Sequence, residues 1–220
     1  MSTIFVVGAG PKIGLQVPKL FVSKGFTSVG LASRSKSNLE TLATQLPQSA
    51  KVAIAEGTDA GEAESLVRGL ESMKQSLGKP DVVVFNASSL FLEHKALMDM
   101  SAGDFEAHLR GTLVSGFVVG QWAVKNLNRN AAKPPAVLFT GGGLGHQPRQ
   151  NHAGLAAGKA GLLNVCKAFQ LEHPDIHFAV VTVKGLVDKG NEYYSSPLIA
   201  QRYWDLYEQR KEDWQVEVEH

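Results

Sequence analysis

The 220-residue sequence predicts a doubly wound α/β fold, a single domain over residues 1–220 with a mainly parallel sheet of roughly seven strands. Three observations predict it. Short β-branched runs alternate with longer stretches of helical apolar spacing along the whole chain. The first such run, TIFVVGAG at 3–10, ends in glycines and leads straight into a helical stretch. Glycine or proline punctuates many of the joins.

The elements follow in order. Thr3 to Val7 reads as the first strand. Residues 15–25 read as a helix with Leu15, Leu20 and Phe21 at helical spacing, and with Pro18 near its start, where a missing N–H costs little. SVGLASR (28–34) is a second strand, and 38–46 a helix stopped by Pro47. Residues 51–57 form a third strand, 62–78 a helix closed by Gly78, and DVVVFNAS (81–88) a fourth strand after the Lys-Pro break. One long helix is predicted over about 102–128, with Phe105, Leu109, Leu113 and Phe117 on related faces. After a linker at 130–135 come AVLFTGGG (136–143), a small-residue helix (153–173), a sixth strand (176–185), a helix (195–210) and an edge strand (214–219). Strands alternating with helices imply a parallel sheet covered on both faces, and right-handed crossovers make it a Rossmann arrangement. The chain has no internal repeats and no low-complexity segment.

Bulk properties exclude several classes of function. Lys and Arg number 22 against 21 Asp and Glu, a net charge of +1, so no overall field favours nucleic acid or an anionic membrane. No apolar stretch reaches the roughly 18 residues needed to span a bilayer. The longest, 113–124, contains Ser, Gly, Gln and Trp. The N-terminal residues carry no basic segment followed by a cleavage site. The single cysteine, Cys166, precludes an internal disulfide and reads as a small buried helix residue, so a cytoplasmic location is expected.

The joint between the first strand and the first helix carries the strongest chemistry. Gly8, Gly10 and Gly14, with Lys12 and Ile13 between them, allow a tight turn and close approach of backbone to a pyrophosphate, which the helix N-terminus then favours. At the end of the second strand, an acidic residue would hold a free ribose 2′-hydroxyl. Here stand Ser33, Arg34 and Ser35, followed by Lys36. A guanidinium can bracket a 2′-phosphate and serines can donate to it, so NADP(H) is expected over NAD(H), with Lys12 adding positive charge nearby.

With that turn, Asn86-Ala87-Ser88 and Lys159 located, the chain resembles the short-chain dehydrogenase/reductase family over essentially its whole length. Gly8 and Gly14 match the ends of the family's Thr-Gly-x-x-x-Gly-x-Gly turn, while Val7 replaces the Thr and Lys12 the middle Gly. Asn86-Ala87-Ser88 is similar to the motif that steadies the sheet beside the cofactor. Glu56 or Asp59 is similar in place to the acid that meets the adenine, and Lys184-Gly185 takes the place of the Pro-Gly near the nicotinamide. The resemblance implies cofactor contacts from Gly8, Gly10, Lys12, Ile13, Gly14, Ser33, Arg34, Ser35, Asn86, Ala87, Ser88, Lys159 and Gly185. It also implies a homodimer or homotetramer through the helices at 102–128 and 153–173, with Gly111, Ser115, Gly116 and Gly120 allowing close approach. The same small residues can instead pack within one subunit.

The resemblance fails at the catalytic group. The family uses a Tyr acid/base, a Lys four residues later, a Ser about thirteen before the Tyr, and an Asn on the preceding long helix. Only Lys159 is present. The Tyr position holds Leu155, the Ser position Gly142, and the Asn position falls near Thr112. T-G-G-G followed by L-x-A-G-K-A-G resembles a divergent group of short-chain proteins with this altered signature, as does the tail YWDLYEQRKEDWQVEVE. Candidate replacements for the acid are His152 and His146 in the loop before the helix, Tyr193 or Tyr194 after the sixth strand, and Thr140 with Ser88 and Ser89 as hydrogen-bond donors. The backbone N–H groups of Gly141 to Gly143 can also hold a substrate oxygen. His94, His108, His173 and His177 lack ligand spacing, so no metal is expected. The expected activity is an atypical NADP(H)-dependent oxidoreductase acting on a small carbonyl, imine or alkene, capped by about 186–210. The alternatives are a catalytically silent NADP(H)-binding regulator, or a non-redox isomerase or cyclase.

Overall fold

The computed structural model describes residues 2–89 and 92–220. Seven strands form one sheet in the order β3-β2-β1-β4-β5-β6-β7, and every neighbouring pair is parallel. The strands are β1 (Thr3–Val7), β2 (Ser28–Ala32), β3 (Lys51–Ala55), β4 (Val82–Phe85), β5 (Ala136–Thr140), β6 (His177–Thr182) and β7 (Glu217–Glu219). The helices are α1 (Ile13–Ser23), α2 (Lys36–Thr44), α3 (Ala63–Leu77), α4 (Ala102–Leu109), α5 (Ser115–Asn126), α6 (Ala153–Glu172) and α7 (Ser196–Glu208).

Alternation along the central strands divides the core in two. Ile4 and Val6 of β1 join Val82 and Val84 of β4 under α1, α2 and α7. Phe5 and Val7 join Val83 and Phe85 on the other face, under α3, α5 and α6. Because β1, β2, β4, β5 and β6 are buried on both faces, they are mostly apolar rather than alternating, whereas the edge strand β3 is only partly buried and starts at the exposed Lys51. The chain reverses strand order between β1 and β4, and the loops leaving the C-terminal ends of the strands bend over a crevice there.

Three expectations are corrected, and one left with two alternatives is resolved. Pro18 stands sixth in α1, not near its start, and its ring denies the Gly14 carbonyl an i+4 donor. The long helix is interrupted: Arg110–Val114 form one turn of π-helix between α4 and α5. That extra residue per turn shifts the phase, so Phe117 is 41% exposed while Phe105 and Leu109 are partly buried. The small residues of this helix pack inside the subunit. A Cβ on Gly116 would lie 2.3 Å from Leu162 Cδ1, and one on Gly120 2.5 Å from Phe169. Finally, β3 to β6 end before their predicted limits, since Gly57, Asn86 and Gly141 belong to loops that turn over the sheet edge.

Candidate cofactor and substrate cleft

A cleft of about 950 Å³ opens at the C-terminal edge of the sheet, between the glycine turn, the end of β5, the start of α6 and the segment after β6. This is the upper end of the range for small-ligand pockets. Its glycine wall is built by steric exclusion. Gly8 has φ +80°, and a Cβ there would lie 2.4 Å from the Ala87 amide nitrogen. Asn86 Nδ2 donates to the Gly8 carbonyl at 3.0 Å, and the Gly8 and Ala9 amides donate to the Ala32 carbonyl at 2.9 and 3.0 Å. Gly10, by contrast, has open space where a side chain would be. Helix α1 then starts without a side-chain cap and without an acidic residue in its first turn. Gly10, Lys12, Ile13 and Gly14 all line the cleft, so the helix end presents unpaired N–H groups and a positive dipole to it. An anionic pyrophosphate fits that cradle.

The predicted cofactor residues divide into two sets. Asn86, Ser88, Lys159 and Gly185 line the cleft with the turn. Gly8 and Ala87 form its backing instead, while Ser33, Arg34 and Ser35 follow the end of β2 and do not line it. Ser35 caps α2 by accepting the Asn38 amide at 3.3 Å. Arg34 is exposed, and Lys36 pairs with Glu56 at 3.1 Å. Lys12 is not simply a loose charge: its ammonium donates to the Val187 carbonyl and straps the segment after β6 to the glycine turn.

At the positions that the resemblance assigns to the catalytic group, Leu155 and Lys159 lie four apart on one face of α6, both buried and both lining the cleft. Lys159 Nζ donates to the Thr140 carbonyl at 2.7 Å, and burial pushes its pKa down to about 8. Gly142 leaves room beside it, since a Cβ would lie 3.9 Å from Lys159 Cε. The Thr140 hydroxyl donates to Asn86 Oδ1 at 2.9 Å and lies 2.6 Å from the Tyr203 hydroxyl, which therefore donates to it. Tyr203 is fully buried, and desolvation raises its phenol far above the usual range. Thr140 thus holds the sheet end, Asn86 and α7 together, and its only proton is committed within that chain rather than offered to a substrate.

The remaining candidates separate. Tyr193 is 50% exposed, stacks on His220 at 4.3 Å and does not line the cleft. Tyr194 packs beneath Gly185, where a Cβ would lie 2.2 Å from its ring. Ser89 is buried with Thr112, its hydroxyl 3.1 Å from Thr112 Oγ1. His146 lines the cleft and pairs with Glu217 at 2.7 Å. With Glu219 these two offer ligand atoms within 4.8 Å of one another, a grouping that sequence spacing does not foresee. Each is already matched, as Lys184 pairs with Glu219. His152 lines the cleft and stacks on His94 at 4.4 Å.

Comparison with known proteins agrees with this architecture. Residues 2–188 match the family model for short chain dehydrogenase. No protein among those of curated function matches. Among solved structures, the chain is similar to a short-chain dehydrogenase from Rhodopseudomonas palustris, with 23% identity, 100% of this chain and 97% of that one covered, and a TM-score of 0.84. It is similar to an alcohol dehydrogenase from Thermococcus sibiricus complexed with 5-hydroxy-NADP, with 23% identity, coverage of 100% and 96%, and a TM-score of 0.87. A short chain dehydrogenase from Burkholderia cenocepacia in complex with NADP is 16% identical, covered 98% and 94%, with a TM-score of 0.82.

Proposed function

This chain belongs to the short-chain dehydrogenase family, and from that premise we propose that it is an NADP(H)-dependent oxidoreductase for a small carbonyl, imine or alkene. The observation that carries the proposal is Lys159, held buried at the cleft by the Thr140 carbonyl and facing the same space as the glycine turn. When bound, the nicotinamide supplies the hydride. The chain's own residues do the rest. The turn and the α1 N-terminus hold the pyrophosphate, Lys159 holds the ribose, and Arg34 with Ser33 and Ser35 meets the 2′-phosphate. Of the three glycine amides expected to orient the substrate oxygen, those of Gly141 and Gly143 already donate to the Val181 and Val183 carbonyls at 2.8 and 2.9 Å, so the Gly142 amide is left for that part. Two solved relatives carry NADP or its 5-hydroxy derivative, which supports the choice of nucleotide. The protein is proposed to work as a homodimer or homotetramer in the cytoplasm.

Fluorescence titration with NADPH and NADH tests the cofactor. NADPH is expected to bind more tightly, and Arg34→Ala to weaken NADPH roughly tenfold or more while sparing NADH, the effect of losing a charge-assisted hydrogen bond. Equal affinities, or an unaffected variant, would overturn the preference. A second reading, a silent NADP(H)-binding regulator, is favoured by Leu155, whose alkyl side chain occupies the acid's place. Stereospecific deuteride transfer from labelled NADPH across a carbonyl and imine panel decides between them.

A further inference from the structure

We propose that His152 moves the substrate proton in place of the absent tyrosine, and that His94 and His108 are positioning residues that hold its ring at the cleft. The inference rests on the oxidoreductase reading above. His152 is the residue immediately before α6 and stands three positions ahead of Leu155, and both line the cleft. Its Nδ1 lies 2.7 Å from the Gln150 carbonyl. A carbonyl only accepts, so Nδ1 carries a hydrogen and Nε2 is the atom free for chemistry. Among the described residues Nε2 has no hydrogen-bond partner.

One hydrogen bond leaves a ring free to swing about it, and here two further rings remove that freedom. His94 stacks on His152 at 4.4 Å with planes 24° apart, and on His108 at 5.6 Å and 18°. His108 anchors the column. It is 1% exposed and bonded at both nitrogens, Nε2 to the Glu93 carbonyl at 3.2 Å and Nδ1 to Ser89 Oγ at 3.0 Å. The Glu93 carbonyl requires hydrogen on Nε2, so Nδ1 accepts from Ser89. Thr112, in the π turn, accepts the Ser89 amide at 3.1 Å and supplies the hydroxyl proton to Ser89 Oγ. Helix α6 lies directly against the anchor, for a Cβ on Gly154 would stand 2.7 Å from His108 Cδ2. The column therefore runs from the π turn through the interior to the cleft wall. It links two positions where the family pattern is lost: Thr112 at its base, and Leu155 beside its tip.

The proton balance is complete. In reduction, the substrate carbon accepts the hydride and its two electrons from NADPH, which leaves as NADP+. The π pair of the C=O or C=N bond moves to the heteroatom, which takes the proton from Nε2 of the imidazolium. The half-buried His152 then regains a proton from solvent. Oxidation runs the same path backwards, with bare Nε2 as the base.

The test combines imidazole 15N NMR with deuteride transfer. NMR of the wild type should show His152 with hydrogen on Nδ1. His94→Ala should average the two tautomers, and His94→Phe, which keeps a flat ring, should restore the single one. NADPH affinity should stay within twofold in all variants. His152→Gln should lower kcat about 10²–10³-fold with little change in KM, the usual share of general acid–base catalysis. His94→Ala should lose about tenfold in kcat and His94→Phe regain it. Hydrogen on Nε2 instead, or undiminished kcat in His152→Gln, would overturn this inference alone. A wild type that binds NADPH but transfers no deuteride to any substrate would overturn the oxidoreductase reading, and this inference with it.

Discussion

Lys159 shows how burial alone changes a residue's chemistry. Its ammonium is desolvated and its pKa falls to about 8 from the ordinary 10.5. The unfolded chain therefore binds the extra proton between those values, and this residue's contribution to stability rises with pH across that window. Affinity for an anionic cofactor has the opposite sign, because only the charged amine attracts it. NADPH affinity should fall between pH 7 and 9.5, and Lys159→Met should bind weakly with no such dependence; fluorescence titration across pH checks both. Gly142 and Leu155 offer a second residue-scale experiment. A Cβ at Gly142 meets nothing closer than 3.9 Å, and Leu155 already lines the cleft. The double variant Gly142→Ser, Leu155→Tyr should bring or increase carbonyl reductase activity, read as NADPH oxidation. Intact NADPH binding with no gain would show that the site differs by more than its missing hydroxyls.

At the scale of elements, the π turn between α4 and α5 is the unusual piece. It sets Thr112 facing the buried end of the β4 loop, where it satisfies the Ser89 amide. Thr112→Val removes that acceptor from a fully buried donor and should cost about 1–3 kcal/mol, seen as a lower midpoint in chemical denaturation. A midpoint within error of wild type would mean that water replaces the hydroxyl. The sequence predicts a continuous helix here because Phe105, Leu109 and Phe117 sit at acceptable helical spacing, and a one-residue bulge leaves no compositional mark. Helix α6 shows the converse. Its small residues signal close packing, but not against what. In the folded chain Gly154 and Gly158 admit His108 and Thr112, while Gly161 faces Leu113.

For the whole molecule, the exposed apolar groups on the α5 side bear on assembly. Val114 and Phe117 are 43% and 41% exposed on the helix proposed to pair between subunits. Sedimentation should give a dimer or tetramer, and Phe117→Asp should shift it towards monomer; a monomeric wild type would refute the proposal. The sequence by itself determined the doubly wound sheet, because strand and helix periods and glycine turns are properties of neighbouring residues. It also pointed to the glycine turn at Gly8 to Gly14, since glycine spacing is a local property, although Asn86 and Ala32 on distant segments hold that turn in place. Only the tertiary structure decided which polar groups remain available for chemistry. The Thr140 hydroxyl donates to Asn86, 54 residues away, and accepts from Tyr203, 63 residues away, while the Lys12 ammonium donates to Val187, 175 residues away. The histidines at 94, 108 and 152 are scattered in sequence and stacked in space. Hydrogen-bond saturation and ring stacking act over a few ångströms, so they depend on which distant segments the fold brings together, and local pattern carries no trace of them.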